Sequence, residues 1–283
     1  MPELPEVEIL VRHLAPQLQG AGIRACEVRK PRLVRPHPPD ELTRALRGAT
    51  VLSVRRRAKF LLFDLRSRTG ERTLVGHLGM TGRMFLQSPA APVPRHAAVV
   101  FDLGDRVWVF EDPRGFGRLT FDGTVLEGLG PEPWDETFSA AGFRAALAGS
   151  RQPIKVRLLD QSVVAGVGNI YASEALYRAR ISPRRAAGRL VGAEVARLRE
   201  AIREVLAEAI RVGSTLPLDF AGREGGDGLF YYGREAGVVG SDTERLLVYD
   251  RAGLPCAGCG TPIRRIVQAA RSTFYCPQCQ SQR

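Results

Sequence analysis

Four cysteines crowd the end of this 283-residue sequence, and their spacing is its clearest chemical signal. Cys256-x2-Cys259 is followed, after 16 residues, by Cys276-x2-Cys279, close to what a four-thiolate zinc site requires. Each pair can sit on a tight knuckle, and the segment between them can fold as a hairpin that returns the second pair to the metal. Four thiolates around a tetrahedral zinc leave no open position, so the ion would be structural and not catalytic. The other readings are reduced structural cysteines or two disulfides, the latter uncommon in a cytosolic chain. From Cys256 to the end there is no acidic residue, whereas Arg264, Arg265, Arg271 and Arg283 are basic. The module therefore reads as a phosphate-binding finger.

Two other stretches suit phosphate. In "AGVGN", Ala165 to Asn169, two glycines let backbone amides approach an anion just ahead of a helix start. A tight helix–helix corner would use the same glycines; the neighbouring Lys155, Arg157, Arg178 and Arg180 favour the anion. "RRRAK", Arg55 to Lys59, would in most proteins be a solvated edge, but it could also contact phosphates. A different chemistry is suggested by the opening "MPELPEVE". Val7, Leu10, Val11, Leu14, Ala15 and Leu18 recur at helical spacing, Pro5 suits a first turn, and Glu6 and Glu8 suit the positive end of the helix dipole. A helix start leaves Pro2 and Glu3 unexplained.

The elements that must position these residues fall into two halves. "IRACEV", "TVLSV" and "KFLLFDL" read as strands, and "AAVVFDL" and "RVWVFED" as a hairpin turning at Gly104-Asp105. Short strands without intervening helical periodicity predict an antiparallel sandwich or barrel over residues 1–130. "GLGPEPWDE", Gly128 to Glu136, has linker composition. Helices are predicted around Phe138–Ala148, Ile154–Leu159, Asn169–Ala179 and Glu194–Val212. Ser214 to Asp242 is glycine-rich with no stable period, the mark of a functional or mobile loop. Cys26 lies in a strand-like stretch and reads as core, and the four histidines, lacking ligand spacing, as structural or surface residues.

Bulk composition narrows the function classes. Hydrophobic content of 44% with 25% charged residues is that of a globular protein. The 41 Lys+Arg against 30 Asp+Glu leave a net charge of +11, which favours a polyanionic partner. No run approaches the roughly 18 apolar residues of a membrane span, and no basic-then-apolar leader opens the chain. The expected setting is cytoplasmic, with nucleic acid as partner.

Taken together, "PELPEVE", "RRAKFLL" (Arg56 to Leu62), "GHLGMTGR" (Gly76 to Arg83), "DPRGFGRL" (Asp112 to Leu119), "LLDQSVVAGVGNIYASEAL" (Leu158 to Leu176) and the four-cysteine finger resemble the formamidopyrimidine-DNA glycosylases, bifunctional base-excision repair enzymes. The resemblance implies an α+β fold: an N-terminal antiparallel β-sandwich with a flanking helix (1–130), a helical helix–two-turn–helix domain with the lesion loop (131–250), and a zinc finger (251–283). It implies one structural Zn2+ held by Cys256, Cys259, Cys276 and Cys279, and a monomer acting on damaged double-stranded DNA at the nucleoid, not at a membrane. Pro2, once Met1 is removed, would be the nucleophile. An α-amino group titrates near pH 8, roughly two units below lysine, so more of it is neutral. Glu3 would protonate the sugar ring oxygen, Lys59 would lie near the lesion and its phosphate, and Glu6 would be mainly structural. The damaged nucleotide must be flipped out, and Met80, Arg114 and Phe116 would fill the gap, although an ordinary core role is the alternative for Met80 and Phe116. Lys155, Asn169 and Arg271 would hold phosphates.

Two departures stand out. Gly115 replaces the family's usual second arginine, and "YYGREAGVVGSDTERLLVYDRAG" (Tyr231 to Gly253) is longer than usual, with "VYDR" in place of "VYGR"; the loop over the flipped base would lie near Asp227 to Phe230. Oxidised purines are the expected substrates. The alternatives are the related endonuclease VIII group, which prefers oxidised pyrimidines but usually begins "PEGPE", and a non-catalytic zinc protein that binds damaged DNA.

Overall fold

The computed structural model describes residues 2–213 and 246–281. The chain divides into two compact units, one ending at Glu127 and the other comprising Gly128–Val212 with the described C-terminal residues. The first begins with helix α1 (Leu4–Leu18), whose apolar stripe of Val7, Leu10, Leu14 and Leu18 is fully buried. Eight strands follow: β1 (Ala25–Val28), β2 (Thr50–Arg57), β3 (Phe60–Ser67), β4 (Gly70–His77), β5 (Arg83–Gln87), β6 (Ala97–Asp102), β7 (Val107–Glu111) and β8 (Arg118–Thr120), with helix α2 (Pro39–Leu46) between β1 and β2. They form two antiparallel four-stranded sheets, ordered β1-β6-β7-β5 and β2-β3-β4-β8.

The two inner faces share one core, as a sandwich requires. Trp108 on β7 stacks on Phe101 of β6 at 4.0 Å and meets Phe63 of the other sheet at 4.7 Å. Helix α1 packs on β2 and joins the same cluster. The β6–β7 hairpin turns where the sequence predicts, with the Gly104 amide donating to Asp102 Oδ1 at 2.7 Å.

The second unit is helical: α3 (Ala140–Leu147), α4 (Ile154–Leu158), α5 (Asn169–Arg178) and α6 (Gly192–Val212) lie within two residues of the predicted spans. Ser139 caps α3 through the Gly142 amide. The Pro/Gly-rich stretch after Glu127 carries no helix or strand, but it is docked: Arg203 Nε donates to Pro133 O at 2.6 Å and the Ala165 amide to Pro131 O at 2.9 Å. Two short strands, β9 (Arg264–Gln268) and β10 (Arg271–Tyr275), form the finger hairpin. Among the described residues no helix is long and apolar enough to cross a membrane. The glycine-rich loop, with the expected lesion contact near Asp227 to Phe230, lies outside the described residues.

Candidate active site and nucleic-acid interface

In the first unit, Pro2 and Glu3 immediately precede α1 and are buried; Glu3 is the helix N-cap and is 1% exposed. Glu6, at the third helical position and fully buried, reaches back so that Oε2 accepts the Glu3 amide at 2.6 Å. This is the reciprocal arrangement of a capping box. Glu6 thus fixes the backbone that carries Pro2 and Glu3. Glu8 continues the tie. Its carboxylate accepts Arg56 Nε at 2.8 Å, and Arg56 Nη1 donates to Ala58 O at 3.1 Å. Burial would raise the Glu8 carboxyl, but hydrogen bonds and charge from Arg56 and Arg12 outweigh it and hold it below the ordinary value. Ala58 adjoins Lys59 in the β2–β3 turn, so one ion pair ties the start of α1 to the turn presenting the buried Lys59.

"RRRAK" is thus a solvated edge only at Arg55, which is exposed, while Arg56, Ala58 and Lys59 turn inward. Arg55 forms two hydrogen bonds to Asp64 and Arg56 is only 10% exposed, so both charges are answered internally. Next to this turn His77 lies across from Phe60 in the β3–β4 register. Burial, then the positive charges of Lys59 and Arg118, lower its pKa to about 4. It is a neutral imidazole whose Nδ1 accepts the Gly79 amide at 3.0 Å, which makes it structural, as its lack of ligand spacing suggests.

Gly79 opens the tight turn that carries Met80, closed by the Gly82 amide on Leu78 O at 2.8 Å. Its φ is +63°, and a Cβ there would lie 2.5 Å from the Phe116 carbonyl carbon. Only glycine lets the two loops touch. Asp112, fully buried, brackets them: it accepts Thr81 Oγ1 at 2.7 Å, the Arg114 amide at 3.2 Å and the Gly117 amide at 2.7 Å. On this frame Met80 is 45% and Phe116 57% exposed, so neither has the core role that is their alternative. The Arg114 guanidinium lies 4.9 Å from the Phe116 ring centroid, a cation–π contact. Cys26 is buried in the core, as expected.

In the second unit, Lys155 is fully buried and its ammonium donates to Asn169 Oδ1. Asn169 Nδ2 in turn donates to Ser272 O at 3.0 Å, beside Arg271 at the start of β10. Two of the three predicted phosphate-binding residues are thus hydrogen-bonded to each other and tied to the finger next to the third, Arg271, which is exposed. Of the two glycines expected to let amides approach an anion, Gly166 has its amide taken by Gln161 Oε1 at 2.9 Å, while Gln161 Nε2 donates to Leu159 O and Val167 O, as in a tight corner. Arg157 and Arg178 pair with Asp160 and Glu208 and are likewise occupied. Sequence reasoning missed Glu174, which is buried on α5 and accepts the amides of Leu247, Val248 and Tyr249 at 2.8 to 2.9 Å. Burial pushes its pKa up, although the three amides oppose this.

The four sulfurs of Cys256, Cys259, Cys276 and Cys279 lie within 4.8 Å of one another. The Cys256–Cys279 and Cys259–Cys276 separations are 3.9 and 3.5 Å, far beyond the ~2.05 Å of a disulfide. They bracket the ~3.8 Å edge of a tetrahedron with Zn–S bonds near 2.3 Å. The donor set fits one structural zinc. Tyr177 on α5 stands 3.1 Å from Cys256 Sγ through its hydroxyl, an outer hydrogen bond to a ligating sulfur.

Comparison with known proteins matches three family models in order: the formamidopyrimidine-DNA glycosylase N-terminal domain over residues 1–119, its H2TH domain over 129–218, and the zinc finger found in FPG and IleRS over 253–282. Formamidopyrimidine-DNA glycosylase of Paracoccus denitrificans is 43% identical, with 99% of this chain and 100% of the relative covered. That of Symbiobacterium thermophilum is 44% identical over 99% and 89%. Among solved structures, wild-type Lactococcus lactis Fpg with DNA containing an oxidised pyrimidine superimposes with a TM-score of 0.85 at 32% identity, covering 99% and 100%. MutM in complex with DNA containing carbocyclic 8-oxo-G has the same TM-score and identity over the same shares.

Proposed function

The chain belongs to the formamidopyrimidine-DNA glycosylase family, and from that membership we propose that it excises 8-oxoguanine and formamidopyrimidines from duplex DNA through a covalent intermediate at Pro2. The observation that carries this reading is the helix start, where the buried Glu6 grips the Glu3 backbone and so holds Pro2 and Glu3 in fixed register. With Met1 removed, the Pro2 nitrogen bonds to the anomeric carbon of the damaged nucleotide and, losing its proton, expels the base, which takes up a proton; Glu3 protonates the ring oxygen, and the C1′–O4′ bond opens. The secondary amine yields an iminium that is cationic at any pH. Loss of the neighbouring C2′ proton expels the 3′ phosphate, a second elimination expels the 5′ phosphate, and hydrolysis frees Pro2. Lys59 lies beside the reacting sugar and its phosphate.

A flipped base leaves a gap in the duplex. Met80, Arg114 and Phe116 fill it, a role supported by the exposure of two large apolar side chains on a rigid backbone. Arg can hydrogen-bond the orphaned base, and Phe can wedge between base pairs. Lys155, Asn169 and Arg271 hold phosphates beside the lesion, supported by their hydrogen-bonded chain to the finger. The enzyme acts as a monomer on damaged double-stranded DNA in the cytoplasm, at the nucleoid.

Borohydride reduction tests the chemistry. Protein lacking Met1 should be trapped on an 8-oxoguanine duplex, with the DNA attached at Pro2. No adduct with any lesion or abasic site would overturn the reading. Glu3→Gln should slow base release more than cleavage of a ready-made abasic site; equal losses would remove Glu3 from its assigned role. The same assay over a lesion panel measures oxidised pyrimidines against purines, a comparison prompted by the Lactococcus lactis complex.

A further inference from the structure

The loop bearing Arg114 and Phe116 is held by a residue outside the sequence motifs quoted above. Arg32 lies in a short 3-10 turn (Pro31–Val34) between β1 and α2. Its Nη2 donates to the Arg114 carbonyl at 2.6 Å, across 82 positions of sequence. Gly115 follows with φ +66°, and a Cβ built on it would stand 1.8 Å from Arg32 Nη2. The guanidinium therefore occupies the space that any side chain at 115 would need. Nearby, Lys30 Nζ donates to the Asp112 carbonyl at 2.6 Å, so two cations of one segment grip carbonyls of the same loop.

The Arg114–Gly115 peptide decides where two side chains point. Its N-terminal side is fixed by the Arg114 amide on Asp112, and its C-terminal side by the Gly117 amide on the same carboxylate. The Arg114 carbonyl lies between these two anchors, and Arg32 holds it. Left free, this peptide could rotate, since a glycine at positive φ offers little resistance. Arg114 and Phe116 would then lose the relative placement that sets the guanidinium 4.9 Å from the ring centroid. Ordering these side chains before DNA arrives lowers the entropic cost of inserting them.

We propose that Arg32 is a positioning residue for the Arg114–Phe116 wedge, acting through the Arg114 carbonyl, and that Gly115 is the gap that admits it. This rests on the gap-filling role given above to Arg114 and Phe116. It also accounts for the departure at 115: the second cation that the family's usual arginine would bring to this loop comes instead from Arg32. Any side chain at 115 would require the Arg32 guanidinium to leave the position it holds here.

The test uses full-length protein with Met1 removed and a lesion duplex carrying 2-aminopurine opposite the lesion, whose fluorescence reports opening of the stack. Arg32→Ala should slow the fluorescence step and lower kcat about three- to tenfold, the worth of one ordinary hydrogen bond at a solvent-exposed site. Arg32→Lys should recover part of the loss. In a variant lacking both wedge side chains (Arg114→Ala, Phe116→Ala), removing Arg32 should have no further effect. The salt dependence of binding should stay that of the parent. Equal loss from Arg32→Ala with and without the wedge, or a salt slope lower by about 0.9 as for a lost phosphate contact, would overturn the proposal. If wedge removal itself leaves the fluorescence step unchanged, the gap-filling reading fails instead. If wedge removal matters and Arg32→Ala does not, only the role of Arg32 fails.

Discussion

Replacing Asp112 by asparagine tests whether one buried carboxylate holds the Met80 and Phe116 loops together. Asp112 is fully buried and accepts three donors, Thr81 Oγ1 and the Arg114 amide on Oδ1 and the Gly117 amide on Oδ2. Asparagine keeps one acceptor oxygen, enough for Thr81 and Arg114, but turns an NH2 group toward the Gly117 N–H. One hydrogen bond to a charged acceptor is lost and a buried amide is left without a partner, a change of about 2–3 kcal/mol. Alanine, which strands all three donors, should cost more. Trp108 lies in the core of the same unit, while the second tryptophan, Trp134, belongs to the other. In a Trp134→Phe background, Trp108 fluorescence during urea unfolding therefore reports the first unit alone. With m of 1–3 kcal/mol/M, the midpoint should fall by about 1 M. An Asp112→Asn protein with an unchanged midpoint would mean that this bracket does not hold the loops, and the argument for a rigid wedge would fall with it.

Acid should weaken the first unit through His77. Its folded pKa of about 4 lies below the ordinary 6.5, so the unfolded chain takes up the proton first. The stability contributed by the neutral imidazole is complete above pH 6.5 and is lost as pH falls from 6.5 to 4, by roughly 3 kcal/mol at most. The difference in unfolding free energy between parent and His77→Gln should slope over that window and be flat above it; a flat difference throughout would refute the assignment. Tyr177→Phe should release zinc to a chromogenic chelator at about tenfold lower chelator concentration, because a ligating sulfur loses its outer hydrogen bond. Unchanged retention would show that the hydroxyl contributes nothing to the site.

What was legible in the sequence had a local signature. The cysteine spacing anticipated the finger, the stripe from Val7 to Leu18 anticipated α1, and period anticipated α3 to α6 to within two residues, whereas α2, β4, β5 and β8 were not anticipated. What was hidden depends on side-chain contacts that no local pattern marks. "RRRAK" looks like a charged edge because nothing nearby says that Glu8 and Asp64 answer Arg56 and Arg55. The amide of Gly166 looks free because its acceptor, Gln161, has no conspicuous role in the pattern. Glu174 reads as one more polar helix residue, yet it receives three amides from a segment more than seventy positions away.

At two turns a local signal is missing altogether. Lys59 is presented by a turn in which Ala58 has φ +53°, and the finger hairpin leading into Arg271 turns through Ala269 and Ala270 at +46° and +57°. Glycine or asparagine normally fills such positions, and each alanine in the left-handed region costs on the order of 1 kcal/mol. Neither turn carries a signal that sequence rules would register. Their cost is offset elsewhere: Ala58 is fully buried and its carbonyl is held by Arg56, and the finger is bonded to Asn169 and closed around its metal site. Strained backbone persists only where surrounding structure over-determines it. That two of the proposed DNA-facing residues lie in or beside such turns is consistent with a frame whose surroundings hold presenting loops in conformations their own sequences do not favour.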